Sequence, residues 1–397
     1  MRFSQFTFLY LHDTIKKKRK GSFFMAITND YFQDLLDRSV QINDGLTQTS
    51  ADGPCLVFDK KYGIMFCSYM PGFQGHYGES RGKVSLSYFP ASQPTNIRFV
   101  DIADGNDVYC PTCLGLGDGK VRVIYEKDSK EDGDHRICYK DFDFRTTQLS
   151  EEKFVLVRRS DGTVAPLCLS EVFAYLDNLG LHNHSYCKTE QWATTGIFAD
   201  EAGMHYGCYT SLCAEPVLYR SDDCMETVEF FSAYPNPAEY EFVYRFLDGT
   251  IYAIFRTPPE RNSLYYTTSP DMGKTWTGPV LLEDSVSCRP SMLCYGGHIL
   301  MVYNYYNPNT ENRPAIQQGR TTLRFRYGEV ADPNKSPLVA ELYRKGGMVN
   351  ISVTEILGDI YLAFSTSELA LEYQNGNPLV RGKDSIRYVK LGNLIPE

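Results

Sequence analysis

Along this chain, apolar and polar residues alternate in short runs that begin at glycine-containing turns, and the unit recurs six times. The copies are Gly63-IMFCSY, Gly119-KVRVIY, Gly203-MHYGCY, Gly249-TIYAIF, Gly297-HILMVY and Gly358-DIYLAF. Period-two runs rich in Tyr, Phe, Val and Ile, bounded by Gly, Asp and Pro, predict strands. Around each copy lie a strand-like run before it and a third after it, such as Val84-SLSYF, Arg136-ICYKDF, Leu264-YYTTS and Ile386-RYVKL. A repeated strand triplet of this kind predicts an all-β, six-bladed β-propeller, in which each blade buries its faces against its neighbours.

Successive turn glycines are 56, 84, 46, 48 and 61 residues apart, so the second gap carries an insertion, about residues 151 to 192. Within it, Val172, Phe173, Leu176 and Leu179 recur at helical spacing after Ser170, a candidate N-cap. That helix is expected to pack on the ring or to form a homodimer contact, ahead of acting as a substrate lid. Near the N-terminus, a short helix around Tyr31-FQDLLD precedes Ser39-VQIN, a strand placed to close the ring against the last blade and remove its exposed edge.

Composition fits one water-soluble domain over residues 25–397: 43% of residues are hydrophobic and 14% aromatic. A formal charge of -9 argues against nucleic acid or an anionic membrane as a general partner. The first 24 residues differ from the rest. An apolar stretch from Phe3 to Leu11 precedes the basic run KKKRK at Lys16, the reverse of a secretory signal, so they are expected to be a disordered or non-native leader, with Met25 as a start. No run reaches the length of a spanning helix. A cytoplasmic location is expected, with Cys67, Cys138, Cys208 and Cys294 among the 12 cysteines serving as reduced core residues. Cys110-Pro-Thr-Cys113 has CxxC spacing without a second pair or a histidine cluster, so no metal or cofactor is expected.

One motif is specific. Ser269 to Trp276 reads S-P-D-M-G-K-T-W, a match to S-x-D-x-G-x-T-W, and Ser221 to Thr227 is a degraded copy one blade earlier. This is the Asp-box of sialidases and related propellers, and the chain resembles the sialidase superfamily loosely over residues 50 to 390. The resemblance makes Glu241 and Arg256 counterparts of the glutamate and arginine of blade four. Cys288-Arg-Pro-Ser-Met-Leu-Cys-Tyr-Gly-Gly297 is similar to the family's C-x-x-S-x-L-x-Y-G-G, and Arg320 stands where another substrate-binding arginine is expected. Departures point away from strict sialidase activity, among them the loop of the family's acid/base aspartate, which here carries His76, Tyr77 and Glu79. Ala51-Asp52-Gly53-Pro54 replaces F-R-I-P, and Asn350 falls where the family has its nucleophilic tyrosine.

Seven positions beyond each turn glycine lie Met70, Glu126, Thr210, Arg256, Asn304 and Ser365; inner strands begin near Asp52, Tyr109, Trp192, Glu241, Arg289 and Asn350. Both sets are expected at one end of the ring. Glycosidic cleavage needs a carboxylic acid and a second carboxylate as base or nucleophile. Asp52, Glu79, Glu126 and Glu241 supply candidates, with Glu79 as the acid on a Gly-rich loop and Asp52 as its partner. Arg256, Arg289 and Arg320 would grip an anionic or polyhydroxylated sugar, and Tyr109 or Trp192 would stack on it. The expected activity is that of a glycoside hydrolase acting on a small carbohydrate. Two alternatives stay open: a silent carbohydrate-binding propeller, and a lyase using His76 or a tyrosine as base.

Overall fold

Each of the six turn glycines has a left-handed backbone, with φ from 66° at Gly63 to 87° at Gly358. At Asp118-Gly119, Asp248-Gly249, Gly296-Gly297 and Leu357-Gly358 both residues of the pair have positive φ, the tight-turn geometry that follows the right-handed twist of paired strands. Every turn thus folds an inner strand back onto the second strand predicted to follow it. The computed structural model describes residues 33–44, 51–71, 82–105, 108–128, 133–181, 193–210, 215–235, 240–257, 263–284, 286, 288–305, 322–328, 336–343, 348–374 and 377–392. The proposed leader and Met25 lie outside the described residues.

Among the described residues the strands form six sheets, antiparallel except where the insertion joins blade three. Blade one runs Ala51–Asp59, Ile64–Pro71, Lys83–Pro90 and Arg98–Asp104, from inside outward. Blade two runs Val108–Gly117, Lys120–Asp128, His135–Asp143 and Lys153–Phe154. Blade three is Ala193–Ala199, His205–Thr210, Val217–Ser221 and Thr227–Ala233. Blades four and five begin with Tyr240–Leu247 and Ser291–Tyr295. Blade six joins Val349–Ile356, Asp359–Gln374 and Asn377–Gly392 to the N-terminal pair Val40–Gln41. The expected closure is therefore present, with Val40 opposite Tyr388 and Gln41 opposite Arg387. Asn43 Oδ1 accepts from the Ile386 amide at 3.0 Å, and the Ile42 amide donates to the Ile386 carbonyl at 2.8 Å.

Sheet faces are apolar, and each finds its partner in the next blade. Six clusters of buried side chains correspond to the six blade junctions. Ile42, Leu56, Met65 and Ile356 fill the seam between blades six and one, for example, and Phe242, Phe255, Tyr206 and Leu218 that between three and four. Burying each large side chain stabilises by about 1.5–3 kcal/mol. Polar contacts fix the register across these seams. The Gly119 amide donates to Asp59 Oδ2 at 2.6 Å, Arg122 Nη1 donates to the Cys224 carbonyl at 2.8 Å, and Arg324 Nη1 donates to Glu283 Oε2 at 2.7 Å.

The insertion extends blade three. Leu156–Arg158 pairs in parallel with Thr227–Ala233 and turns into Val164–Pro166. The helix Leu169–Asn178 then buries Leu169, Val172 and Leu176 against blades two and three. Its N-cap is Cys168, not Ser170, and makes no side-chain cap bond. Ser170 Oγ donates to Asp134 Oδ2 at 2.7 Å, so a neighbouring loop supplies the carboxylate at this helix end. Cys67, Cys138 and Cys208 are buried as expected, whereas Cys294 is exposed, its thiol donating to the Phe246 carbonyl at 3.1 Å. No helix among the described residues is long and apolar enough to cross a membrane.

The Ser269–Trp276 turn shows why its pattern is specific. Asp271 Oδ1 accepts from the Thr275 amide at 2.8 Å and from Ser269 Oγ at 2.9 Å, while Ser269 Oγ accepts from the Gly273 amide at 2.7 Å. Trp276 packs edge-on to Tyr234 and Phe242. The degraded copy keeps the same bonds, from the Thr227 amide to Asp223 and from the Met225 amide to Ser221. Gly273 has φ of 84°, and a Cβ there would lie 2.1 Å from Ser232 Oγ of blade three. Gly273→Ala is expected to lower stability by about 1–3 kcal/mol in urea unfolding; an unchanged midpoint would contradict this packing.

Candidate functional site at the mouth of the ring

Inner strands enter the ring through an irregularity. In blade one the register shifts between Asp52 and Cys55, in blade two between Tyr109 and Thr112, and in blade three between Thr195 and Phe198. Blades four and six shift between Tyr240 and Val243 and between Val349 and Ser352. At each shift one residue has positive φ: Gly53, Cys110, Gly196, Glu241 and Asn350, with values from 48° to 64°. These are β-bulges, which bend a strand and re-aim the side chains at its end. Three of the five residues are not glycine, and a left-handed residue with a Cβ costs about 1–3 kcal/mol. Such strain is kept where a side chain must point in one direction.

Register places the two predicted rings at one end. Asp52 pairs with Met70, Tyr109 with Glu126, Tyr240 with Arg256, and Val349 with Ser365. In blade three Thr210 pairs with Ala193, and the bulge that matches the others lies at Thr195–Gly196, a few residues beyond Trp192. The second-strand ends are polar in five of six blades and buried: Glu126, Thr210, Arg256, Asn304 and Ser365. Buried polar groups require partners. Asn304 Nδ2 donates to the Met348 carbonyl at 2.6 Å, joining blade five to blade six.

Glu241 and Arg256 form an ion pair in this ring. Arg256 Nε donates to Glu241 Oε2 at 2.6 Å, with side-chain exposures of 8% and 24%. The bond fixes the guanidinium plane, and the bulge that carries Glu241 puts its carboxylate within reach. Asn350 meets Cys288: its amide donates to Cys288 Sγ at 3.2 Å, and the thiol donates to Asn350 Oδ1 at 3.5 Å. Arg289 follows Cys288, half-buried ahead of the inner strand Ser291–Tyr295.

The structure thus brings Glu241, Arg256, Glu126, Arg289 and Asn350 to the strand ends of one face, and places the backbones of Asp52 and Tyr109 there. His76, Glu79, Trp192 and Arg320 lie outside the described residues. Glu215, just before the third strand of blade three, is a fully buried carboxylate at this same end that the sequence reading missed. Its only signal is its position shortly after Thr210. Among the described residues no group of three or more His, Cys, Asp or Glu side chains is placed to hold a metal ion.

If the Glu241–Arg256 pair organises the mouth, Glu241→Gln and Arg256→Met should each destabilise by about 2–4 kcal/mol, and the double variant by less than their sum. Additive losses in a double-mutant cycle would show that the two groups act separately.

No protein-family model matches the chain, and no curated protein sequence matches it. Solved structures do match. The Trypanosoma rangeli sialidase in complex with sialic acid is similar at TM-score 0.59 and 13% identity over 89% of this chain, which spans only 57% of that protein. A Hadza microbial sialidase has TM-score 0.60 at 12% identity, covering 89% of this chain and 68% of its own. A Dyadobacter fermentans protein of unknown function has TM-score 0.58 at 12% identity, covering 89% and 98%. These similarities show that the chain adopts the six-bladed propeller fold of sialidases.

Proposed function

We propose that the protein is a glycoside hydrolase of sialidase-like architecture, acting on the end of a small anionic glycoside. The Glu241–Arg256 pair within a ring of buried polar side chains carries this reading. A fixed guanidinium at the mouth suits bidentate recognition of a carboxylate. In this reading Arg289 and Arg320 complete the grip, and Glu241 positions Arg256. Glu79 protonates the leaving oxygen, and Asp52 serves as the partner carboxylate whose distance from Glu79 sets retention or inversion. Glu126 and Asn350 contact the sugar hydroxyls, His76 flanks the acid, and Tyr109 or Trp192 stacks on the ring.

A panel of aryl glycosides, sialosides and uronides included, tests the proposal through release of the aryl alcohol. Glu79→Gln should lower kcat by about 10²–10⁴-fold, whereas Arg256→Met should chiefly raise KM. Turnover of no glycoside in the panel, or full activity in Glu79→Gln, would overturn it.

One observation favours a second reading. Asn350 has no acidic proton, and its side chain is engaged by Cys288, so the place of the family's nucleophilic tyrosine holds a group unsuited to attack. A carbohydrate-binding propeller without turnover would keep its calorimetric affinity in Glu79→Gln and Asp52→Asn and lose it in Arg256→Met.

A further inference from the structure

Two thiols meet across the junction of blades one and two. Cys55 is the first paired residue after the Gly53 bulge, opposite Ser68, and Cys113 lies in the neighbouring inner strand opposite Val123. The Cys113 thiol donates to the Cys55 carbonyl at 3.0 Å. Cys55 Sγ lies 3.3 Å from Thr112 Oγ1 and 3.8 Å from the Cys113 carbonyl oxygen. Each sulfur thus rests on the other residue's backbone. Both strands are fixed by their own sheets, so this approach belongs to the ring and not to a loop.

The pair is chemically unequal. Cys55 is half-buried and Cys113 buried. The neighbouring Cys113 holds the Cys55 thiol below the ordinary value against the opposing effect of burial, helped by Thr112 and by the charge of Arg289. Burial pushes the Cys113 thiol up. A thiol whose pKa is lowered beside a protonated partner thiol is the arrangement of redox-sensitive cysteines. Cys110, which shares the CxxC spacing with Cys113, instead occupies the left-handed bulge position, its amide donating to Met70 Sδ at 3.3 Å.

We propose that Cys55 and Cys113 form a reversible disulfide between blades one and two, making this junction an oxidation site next to the mouth. The Cys55 thiolate attacks one oxygen of hydrogen peroxide, the O–O bond breaks, and hydroxide takes up the proton released from that thiol to leave as water. Cys113 sulfur then attacks the Cys55 sulfenic sulfur, the S–O bond breaks, and the Cys113 proton departs with a second water. Two thiols and one peroxide become one disulfide and two waters; a small dithiol reverses the step by exchange. The inference is independent of the glycosidase reading.

The full-length protein is treated with hydrogen peroxide, alkylated in denaturant and digested without reduction for mass spectrometry. The expected main product is the Cys55–Cys113 crosslinked peptide, lost on dithiothreitol treatment, absent from Cys55→Ser and Cys113→Ser, and retained in Cys110→Ser. Circular dichroism of each variant checks that it is folded. A main Cys110–Cys113 crosslink, any other dominant pairing, or recovery of Cys55 and Cys113 as separate alkylated or over-oxidised peptides would overturn the proposal.

Discussion

Blade faces in this molecule bury chiefly against each other, the helix Leu169–Asn178 adding to the junction of blades two and three. A single four-stranded sheet with two apolar faces is unstable in water, so the six sheets depend on closing the circle, and the circle depends on Val40–Gln41 joining the last blade. Each inner strand consequently contacts the inner strands on both sides, blade six meeting blade one. The polar bonds at the seams select one register for this packing. They include the Gly119 amide on Asp59 and the Leu56 amide on Ser352 Oγ at 3.2 Å.

Closure also explains where chemistry can reside. The alternating faces of the strands are spent on inter-blade packing, and only strand ends and connections are available for a ligand. The bulges at Gly53, Cys110, Gly196, Glu241 and Asn350 occur at that end. They convert the termini of regular strands into a set of re-aimed residues, and the second-strand ends opposite them are buried yet polar. A ring whose only task was packing would place apolar side chains at Glu126, Thr210, Arg256, Asn304 and Ser365. The Glu241–Arg256 pair is the clearest case, since it combines a left-handed residue with a buried guanidinium.

Most of the architecture was legible because it is local. The turn glycines, the strands that follow them and the Ser269–Trp276 motif are specified by neighbouring residues, and counting from the glycines located the ends of the second strands. The clasp at Ser39 to Asn43 was legible from the need to cover an edge. What escaped depends on register within or between blades. Glu215 follows a short connection that carries no repeat signal. Cys294 reads as a core thiol by alternation but is exposed, and the helix end at Cys168 is served by Asp134 from another segment. The partner of Cys113 comes from 58 residues earlier, on the adjacent blade, and no linear motif encodes that approach.

The most direct test of the account is a crystal structure of the protein soaked with an anionic sugar acid. The sugar is expected at the strand ends near the axis, its carboxylate bonded to Arg256 while Arg256 Nε remains on Glu241, with Arg289 and Asp52 facing the same cavity. A sugar bound on an outer blade surface, or Asp52, Glu241 and Arg289 opening onto separate surfaces, would contradict it.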